Sequence, residues 1–274
     1  MDADHTKLLY HTQVRWLSKG NMLSRVFELR DEVRLFLIAK QKNDLLSAFG
    51  GNHFFMYLAY LADMFEALNT LNKKMQGPGS NIIVQTDVIN AFIAKLNLWI
   101  ERAENYNFVS FHRLTEIATY NCDENLKEDI IDHLKNLQDE FVRYFPEINT
   151  SSILMKLTRN PFLCNVEDVP EVMQEEFIEL TNSSFAKDEF HACNLEAFWV
   201  KMQLYFPQLG KEALNILVPF CSTYLCECGF STLLTIKPKL RNRLDVELNI
   251  RCALSVTSPD IDMLVAKKQG HPSH

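Results

Sequence analysis

Glycine and proline are scarce in this sequence, with 8 and 9 among 274 residues. Turn-rich sandwiches and barrels need many of both, so this shortage disfavours an all-β fold and favours helices. The overall basic charge that is usual in a nucleic-acid-binding protein is also missing, because the formal net charge is -7. Any contact with nucleic acid would therefore have to come from a local patch.

Long hydrophobic runs are absent as well, and none approaches the roughly 20 residues of a membrane-spanning helix. The first residues, Met-Asp-Ala-Asp-His, lack the basic and apolar regions of a signal peptide. We therefore expect no membrane association and a reducing compartment. The cysteines number seven, an odd count, and we expect them to be free thiols that are mostly buried.

Apolar residues at spacings of three and four predict helices through most of the chain. The short stretch 11–18, around Val14 and Trp16, instead favours a strand, with Ser18 or Asn21 as a cap for the helix that follows. Residues 147–170 and 181–194 are expected to be irregular. Helices are predicted at 22–40, 53–76, 87–117, 126–144, 171–180, 195–202, 209–217 and after Asp245.

Two cysteines, Cys226 and Cys228, raise the question of a metal site. Zinc sites usually separate paired cysteines by two to four residues and need a second pair of ligands. Here one residue separates them and no second pair follows, so we expect free thiols, no metal and no cofactor. A cysteine nucleophile with a histidine partner stays open as a further reading, which depends on spatial contact. The candidate histidines are His11, His53, His112, His133 and His191.

Glu227 is the one acid inside a largely apolar stretch. It is either an acid near a helix N-terminus, where the helix dipole stabilises it, or the remaining carboxylate of a nuclease-like site. Two-metal phosphoryl chemistry needs several carboxylates around two ions, and no acidic cluster is evident here.

A basic segment, Lys237, Lys239, Arg241 and Arg243, follows this stretch. Such side chains either neutralise phosphates or belong to a solvated loop before a helix. Trp16 is an aromatic residue that could stack on a base.

Two segments of the sequence resemble the hAT transposase superfamily, in its Charlie/Buster-like branch, which also gave rise to BED-finger and SCAN-domain transposase-derived proteins. The first is Tyr-His-Thr-Gln-Val-Arg-Trp-Leu-Ser-Lys-Gly at 10–20, with Val-Phe-Glu-Leu-Arg at 26–30. The second comprises Phe198 and Trp199, the motif Cys-Glu-Cys-Gly-Phe-Ser at 226–231, and Lys-Leu-Arg-Asn-Arg-Leu at 239–244.

This resemblance implies a mainly α protein, with a helical insertion domain and a remnant of an RNase H-like fold that has few short strands. It implies an N-terminal segment 1–20 with the Arg-Trp motif and a helical insertion at 21–192. A C-terminal dimerisation region at 193–258 and a flexible tail at 259–274 would follow. By resemblance, Glu227 matches the third catalytic acid and Trp16 matches a tryptophan near the DNA-handling site. The family's usual Ser-Glu-Arg triplet is Cys-Glu-Cys here.

The first two catalytic aspartates of the family have no counterpart in this sequence, so we expect a catalytically inactive protein that acts by dimerisation. Its partner would be a second copy or a related transposase-derived protein, and its location the nucleus by resemblance or otherwise the cytoplasm. The alternatives are a nucleic-acid-binding module that uses residues 237–243 and an unrelated helical enzyme with a cysteine nucleophile. The dimerisation candidates are Leu244, Leu248, Cys252 and Val256.

Overall fold

A computed structural model describes residues 17–77, 79–117, 124–146, 152–219, 223–238 and 244–255, together with 260, 261, 263 and 265. It divides the chain into two compact units, Met1–Cys221 and Ser222–His274. The described residues form helices and turns and contain no strand. The expectation of a mainly α protein is therefore confirmed, whereas the expected sheet remnant is absent from the described part of the chain. Within the stretch expected as a strand, residues 17 and 18 are helical, and residues 11–16 lie outside the described residues.

Twelve of the described helices belong to the first unit, and two belong to the second. The first seven helices are α1 (Leu17–Glu28), α2 (Arg30–Ala39), α3 (Asn43–Phe49), α4 (Asn52–Met75), α5 (Ile82–Glu104), α6 (His112–Ile117) and α7 (Glu124–Tyr144). The next five are α8 (Ile153–Arg159), α9 (Glu171–Asn182), α10 (Ser184–Ala192), α11 (Leu195–Met202) and α12 (Pro207–Leu217). The second unit contains α13 (Tyr224–Ile236) and α14 (Glu247–Leu254). Among the residues placed by the structure, no helix combines the length and apolar character needed to cross a membrane.

Residues 22–40, predicted as one helix, form two helices that meet at Leu29. At this junction the Arg30 guanidinium lies 4.4 Å from the centre of the Phe27 ring and donates to the Phe27 carbonyl at 3.0 Å. Ser18 and Asn21, expected as helix caps, lie inside α1.

The helix predicted from residue 87 was expected to continue to 117, but α5 ends at Glu104. Tyr106 has φ +56°, and the N–H of Asn107 donates to the Arg102 carbonyl at 2.8 Å, while the Tyr106 N–H donates to Ala103 at 2.9 Å. This left-handed residue with its paired hydrogen bonds is a Schellman motif, which ends a helix and satisfies its last carbonyls. The chain then turns back through residues 105–111 into α6.

Two stretches that were expected to be irregular contain helices. Within 147–170, Ser152 caps α8 by accepting the N–H of Leu154 at 3.1 Å. Within 181–194, Ser183 caps α10 by accepting the N–H of Ala186 at 3.2 Å. Serine is a preferred N-cap because its oxygen satisfies a backbone donor that has no partner within the helix.

A first hydrophobic core joins α1, α4, α5, α6 and α7. Its most buried members include Ala59, Leu96, Ala103, Leu114 and Leu134, each with 0% exposure. A second core joins α8, α9, α10, α11 and α12. Trp199 lies at its centre with 0% exposure, and its indole N–H donates to the Thr158 carbonyl at 2.7 Å.

The helix α5 contributes to both cores. Phe92, Leu96 and Ile100 pack in the first core, and Ile83, near the N-terminus of the same helix, packs in the second. The buried side chain of Asn81 lies at the start of α5, where its Oδ1 accepts the N–H of Val84 at 3.0 Å. Its Nδ2 donates to Glu196 Oε1 of α11 at 2.7 Å. Asn81 therefore caps α5 and ties that helix to the second core.

We predict that Asn81→Ala lowers the free energy of unfolding by about 2 kcal/mol, because it removes a helix cap and a hydrogen bond to a carboxylate. Asn194→Ala is the matched control, because Asn194 caps α11 through the N–H of Ala197 at 2.8 Å but is exposed. This control is expected to cost about 1 kcal/mol. Chemical denaturation followed by circular dichroism measures both losses, and equal losses would contradict the tying role of Asn81.

Thr158 offers a second test of the interior. Its side chain is 1% exposed, and its hydroxyl has no hydrogen-bond partner among the residues that the structure describes. We predict that Thr158→Val raises the free energy of unfolding by about 1 kcal/mol, because a methyl group replaces an unsatisfied hydroxyl of similar shape. Thr158→Ser keeps the hydroxyl and removes a methyl group, so it should be less stable than the wild type in the same denaturation measurement. A Val variant that is less stable than the wild type would show that the hydroxyl is bonded.

Candidate association surface

The helix α13 carries a single charged residue, Glu227, among its 13 residues. Glu227 lies in the first turn, where a negative charge interacts favourably with the helix dipole. Its Oε1 accepts the Thr223 hydroxyl at 2.8 Å, and its N–H donates to the Thr223 carbonyl at 2.8 Å. Glu227 therefore acts locally as a partner of the residue that precedes the helix.

An apolar stripe runs along α13 at intervals of four residues. Cys226 is exposed, Phe230 is 67% exposed and Leu234 is 74% exposed. Residues four apart are neighbours on one helix face, and eight positions span about 12 Å along the axis. The stripe is therefore a continuous apolar strip on the surface of the described chain.

The helix α14 presents a similar face. Leu248 is 73% exposed and Cys252 is exposed, and their spacing of four residues places them on the same side. The Asp245 carboxylate accepts the N–H of Glu247 at 3.3 Å, as expected for a residue that caps this helix. Leu244 is half-buried in the segment before α14. Val256, the fourth dimerisation candidate, lies outside the described residues.

We call the exposed faces of α13 and α14, formed by Cys226, Phe230, Leu234, Leu248 and Cys252, the C-terminal apolar surface. No residue of either helix whose side chain the structure describes is buried. Sequence reasoning named Leu248 and Cys252 but missed Phe230 and Leu234. The fourfold spacing of Cys226, Phe230 and Leu234 is the signal that could have found them.

The candidate nucleic-acid residues are placed only in part. Lys237 is half-buried directly after α13, where its N–H donates to the Leu233 carbonyl at 2.8 Å. Trp16, Lys239, Arg241 and Arg243 lie outside the described residues. Whether these five side chains form one patch therefore stays a prediction.

The described cysteines and histidines have ordinary structural partners. The thiol of Cys164 lies 3.7 Å from the Asn160 carbonyl, and burial raises its pKa. The thiol of Cys193 donates to the Glu189 carbonyl at 3.1 Å. His133 Nδ1 lies 2.7 Å from the Tyr60 hydroxyl, and burial lowers the pKa of this imidazole. Among the described residues, no group of three or more His, Cys, Asp and Glu side chains could hold a metal ion.

Sequence reasoning missed a buried acid, Asp63 of α4. Its carboxylate accepts the backbone N–H groups of Arg113 and Leu114 at 3.0 and 3.2 Å, and the Arg113 guanidinium at 2.8 Å. Burial raises the pKa of the Asp63 carboxyl, and the hydrogen bond from Arg113 opposes this rise. An acid within the apolar run of α4 was the available signal.

Comparisons with known proteins match this chain to one helical domain. Residues 1–104 match the model of the FAM200/GTF2IRD2 helical domain, and this match ends at the last residue of α5. The chain is 29% identical over 244 residues to the General transcription factor II-I repeat domain-containing protein 2 of Bos taurus. This alignment covers 89% of the chain and 25% of the relative, so the chain spans about a quarter of that protein's length. No solved structure matches the chain significantly.

The resemblance found in the sequence is therefore supported in a coarser form. The first 104 residues carry similarity to a FAM200/GTF2IRD2 helical domain, and the chain as a whole is a distant homologue of the General transcription factor II-I repeat domain-containing protein 2.

Proposed function

We propose that this chain is a catalytically inactive derivative of a hAT transposase that acts through association of protein chains at the C-terminal apolar surface. The distant relationship to a protein named for a transcription factor supports a nuclear role. The observation that carries the proposal is the exposure of Phe230, Leu234 and Leu248 on two helices without buried side chains among the residues described.

The stability of these helices is the first argument for association. The two helices have 13 and 8 residues, and isolated helices shorter than about 12–15 residues are marginal in water. In proteins, most helical stability comes from the packing of an apolar face. Covering one large apolar side chain contributes about 1.5–3 kcal/mol, so an interface over the C-terminal apolar surface would stabilise both helices.

The partner that we propose is a second copy of the chain. Antiparallel pairing of α13 with itself would bring Glu227 of one copy toward Lys237 of the other, because these residues lie near opposite ends of the helix. The Cys226, Phe230 and Leu234 stripe carries no charge that would oppose its own copy. A twofold axis makes such a surface self-complementary.

Catalytic inactivity is part of the proposal because of the three family acids only Glu227 has a counterpart in this sequence. Two-metal chemistry places ions about 3.5–4 Å apart between several carboxylates, which one glutamate does not supply. The local bond from Thr223 gives Glu227 a structural role at the start of α13.

We predict that Phe230→Glu and Leu248→Glu each weaken dimerisation by at least about tenfold, because each places a charge on a surface that must lose water. Light scattering coupled to size-exclusion chromatography over a dilution series measures the dimer dissociation constant. Leu204→Glu is the matched control, because Leu204 is 81% exposed but lies between α11 and α12. A wild-type chain that is monomeric throughout, or variants that dimerise like the wild type, would contradict the proposal.

Nucleic-acid binding is the second candidate function, favoured by the four cations at alternating positions from Lys237 to Arg243. Each phosphate contact contributes about 0.9 to the slope of log affinity against log salt on double-stranded DNA. Replacement of all four cations by glutamine should therefore lower the slope by up to about 3.6. Replacement of the exposed Lys187 and Lys211 by glutamine is the control. Fluorescence anisotropy with a labelled duplex measures the slope, and an equal slope for the fourfold variant and wild type would contradict this function.

A further inference from the structure

A groove of about 420 Å³ lies between α4 and α5 and is closed at one end by residues 110 and 112. Its base is apolar and includes Leu71 of α4 with Phe92 and Trp99 of α5. Phe92 is 5% exposed and its ring meets Trp99 edge to face, with 5.9 Å between ring centres. The base is therefore held by the first core and does not need to rearrange before binding.

The charged residues of the groove leave a positive excess. Arg113 Nη1 lies 2.8 Å from Asp63 Oδ1 and 2.5 Å from Glu66 Oε2, and thus compensates both acids in part. Asp87 on the opposite helix lies 3.7 Å from Arg159 Nη1.

Two lysines line the same groove, Lys74 on α4 and Lys95 on α5, and both are exposed. Neither has an ion pair or hydrogen bond to another described residue. The charges without a partner in this part of the chain are therefore cations, one on each wall.

The closed end of the groove is rigid. Asp63 binds the first N–H groups of α6, and Ser110 Oγ accepts the Arg102 guanidinium at 2.9 Å. These bonds position Ser110 and His112 at the end of the groove before any ligand arrives. A preformed site loses less conformational entropy on binding than one that must be ordered.

We propose that this groove binds an amphipathic helix of a partner protein, with its apolar face on Phe92 and Trp99 and acidic residues toward Lys74 and Lys95. The groove runs along α4 from Asp63 to Lys74, eleven positions or about 16 Å, which corresponds to three turns of a helix. A helix that lays its apolar face into an apolar groove is a common mode of peptide recognition. The two lysines add selectivity for acidic flanks.

The acidic helix within this chain, α9, does not fit this role in a second copy. Met173, Phe177 and Leu180 form its apolar face, and all three are buried in the second core. A second copy can therefore offer the acidic residues of α9 only without that face. This argues for a different protein as the partner, and it makes the groove independent of the C-terminal apolar surface.

The test uses a fluorescein-labelled peptide of 16 residues that is stapled as a helix, with leucine on one face and glutamate elsewhere. A matched peptide has lysine in place of glutamate. Fluorescence anisotropy with the full chain should show binding of the acidic peptide, at least about tenfold tighter than the basic one. Higher salt should weaken this binding because it screens the exposed lysines.

The double variant Lys74→Glu and Lys95→Glu should weaken binding of the acidic peptide by at least about tenfold. Lys187→Glu is the control, because Lys187 is an exposed lysine on α10 outside the groove. Phe230→Glu should leave peptide binding unchanged, which separates this proposal from self-association. Equal binding by the double variant and the wild type, equal binding of the two peptides, or an equal loss in Lys187→Glu would overturn the proposal.

Discussion

The first unit depends on one continuous helix, α5, that is buried in two places. Phe92, Leu96 and Ala103 lie in the first core, while Ile83 lies in the second. A helix cannot bend sharply without a proline or another local break, so both cores are built on one axis. Asn81 adds a polar tie at the same end as Ile83, through its bond to Glu196. Because the groove beside α4 uses α5 as a wall, its shape is set by the packing of both cores.

A second constraint comes from Asp63, a carboxylate inside an otherwise apolar helix. A buried charge is costly unless hydrogen bonds and an opposite charge compensate it, and here two backbone N–H groups and Arg113 do so. The cost is offset only when α6 returns to α4 in one position. The same arrangement that neutralises Asp63 and Glu66 leaves Lys74 and Lys95 as the uncompensated charges of the groove, so one arginine determines both the local fold and the sign of the site.

The sequence predicted the long helices best and their ends worst. The predictions for α4 and α7 lie within two residues of the observed bounds, because their apolar residues keep a strict helical spacing. The errors lie where a helix ends without glycine: Gln41 and Tyr106 take the left-handed conformation at φ +51° and +56°. Glycine is the usual signal for this conformation, and neither residue carries it. Ser183, by contrast, was a readable cap before α10 that sequence reasoning passed over.

The association surface shows a different limit of sequence reasoning, since spacing predicts that an apolar face is covered but not by what. Leu209 and Ala213 of α12 are spaced like Phe230 and Leu234 of α13, yet the first pair is 0% exposed and the second is 67% and 74% exposed. Charge distinguishes the two helices no better, because α12 carries only Lys211 and Glu212, and α13 only Glu227. The difference is that α12 has α8, α9 and α11 around it in a core. For α13, cover from a partner would supply both the burial and the helical stability, so helix content in the C-terminal unit and association of the chain should be coupled.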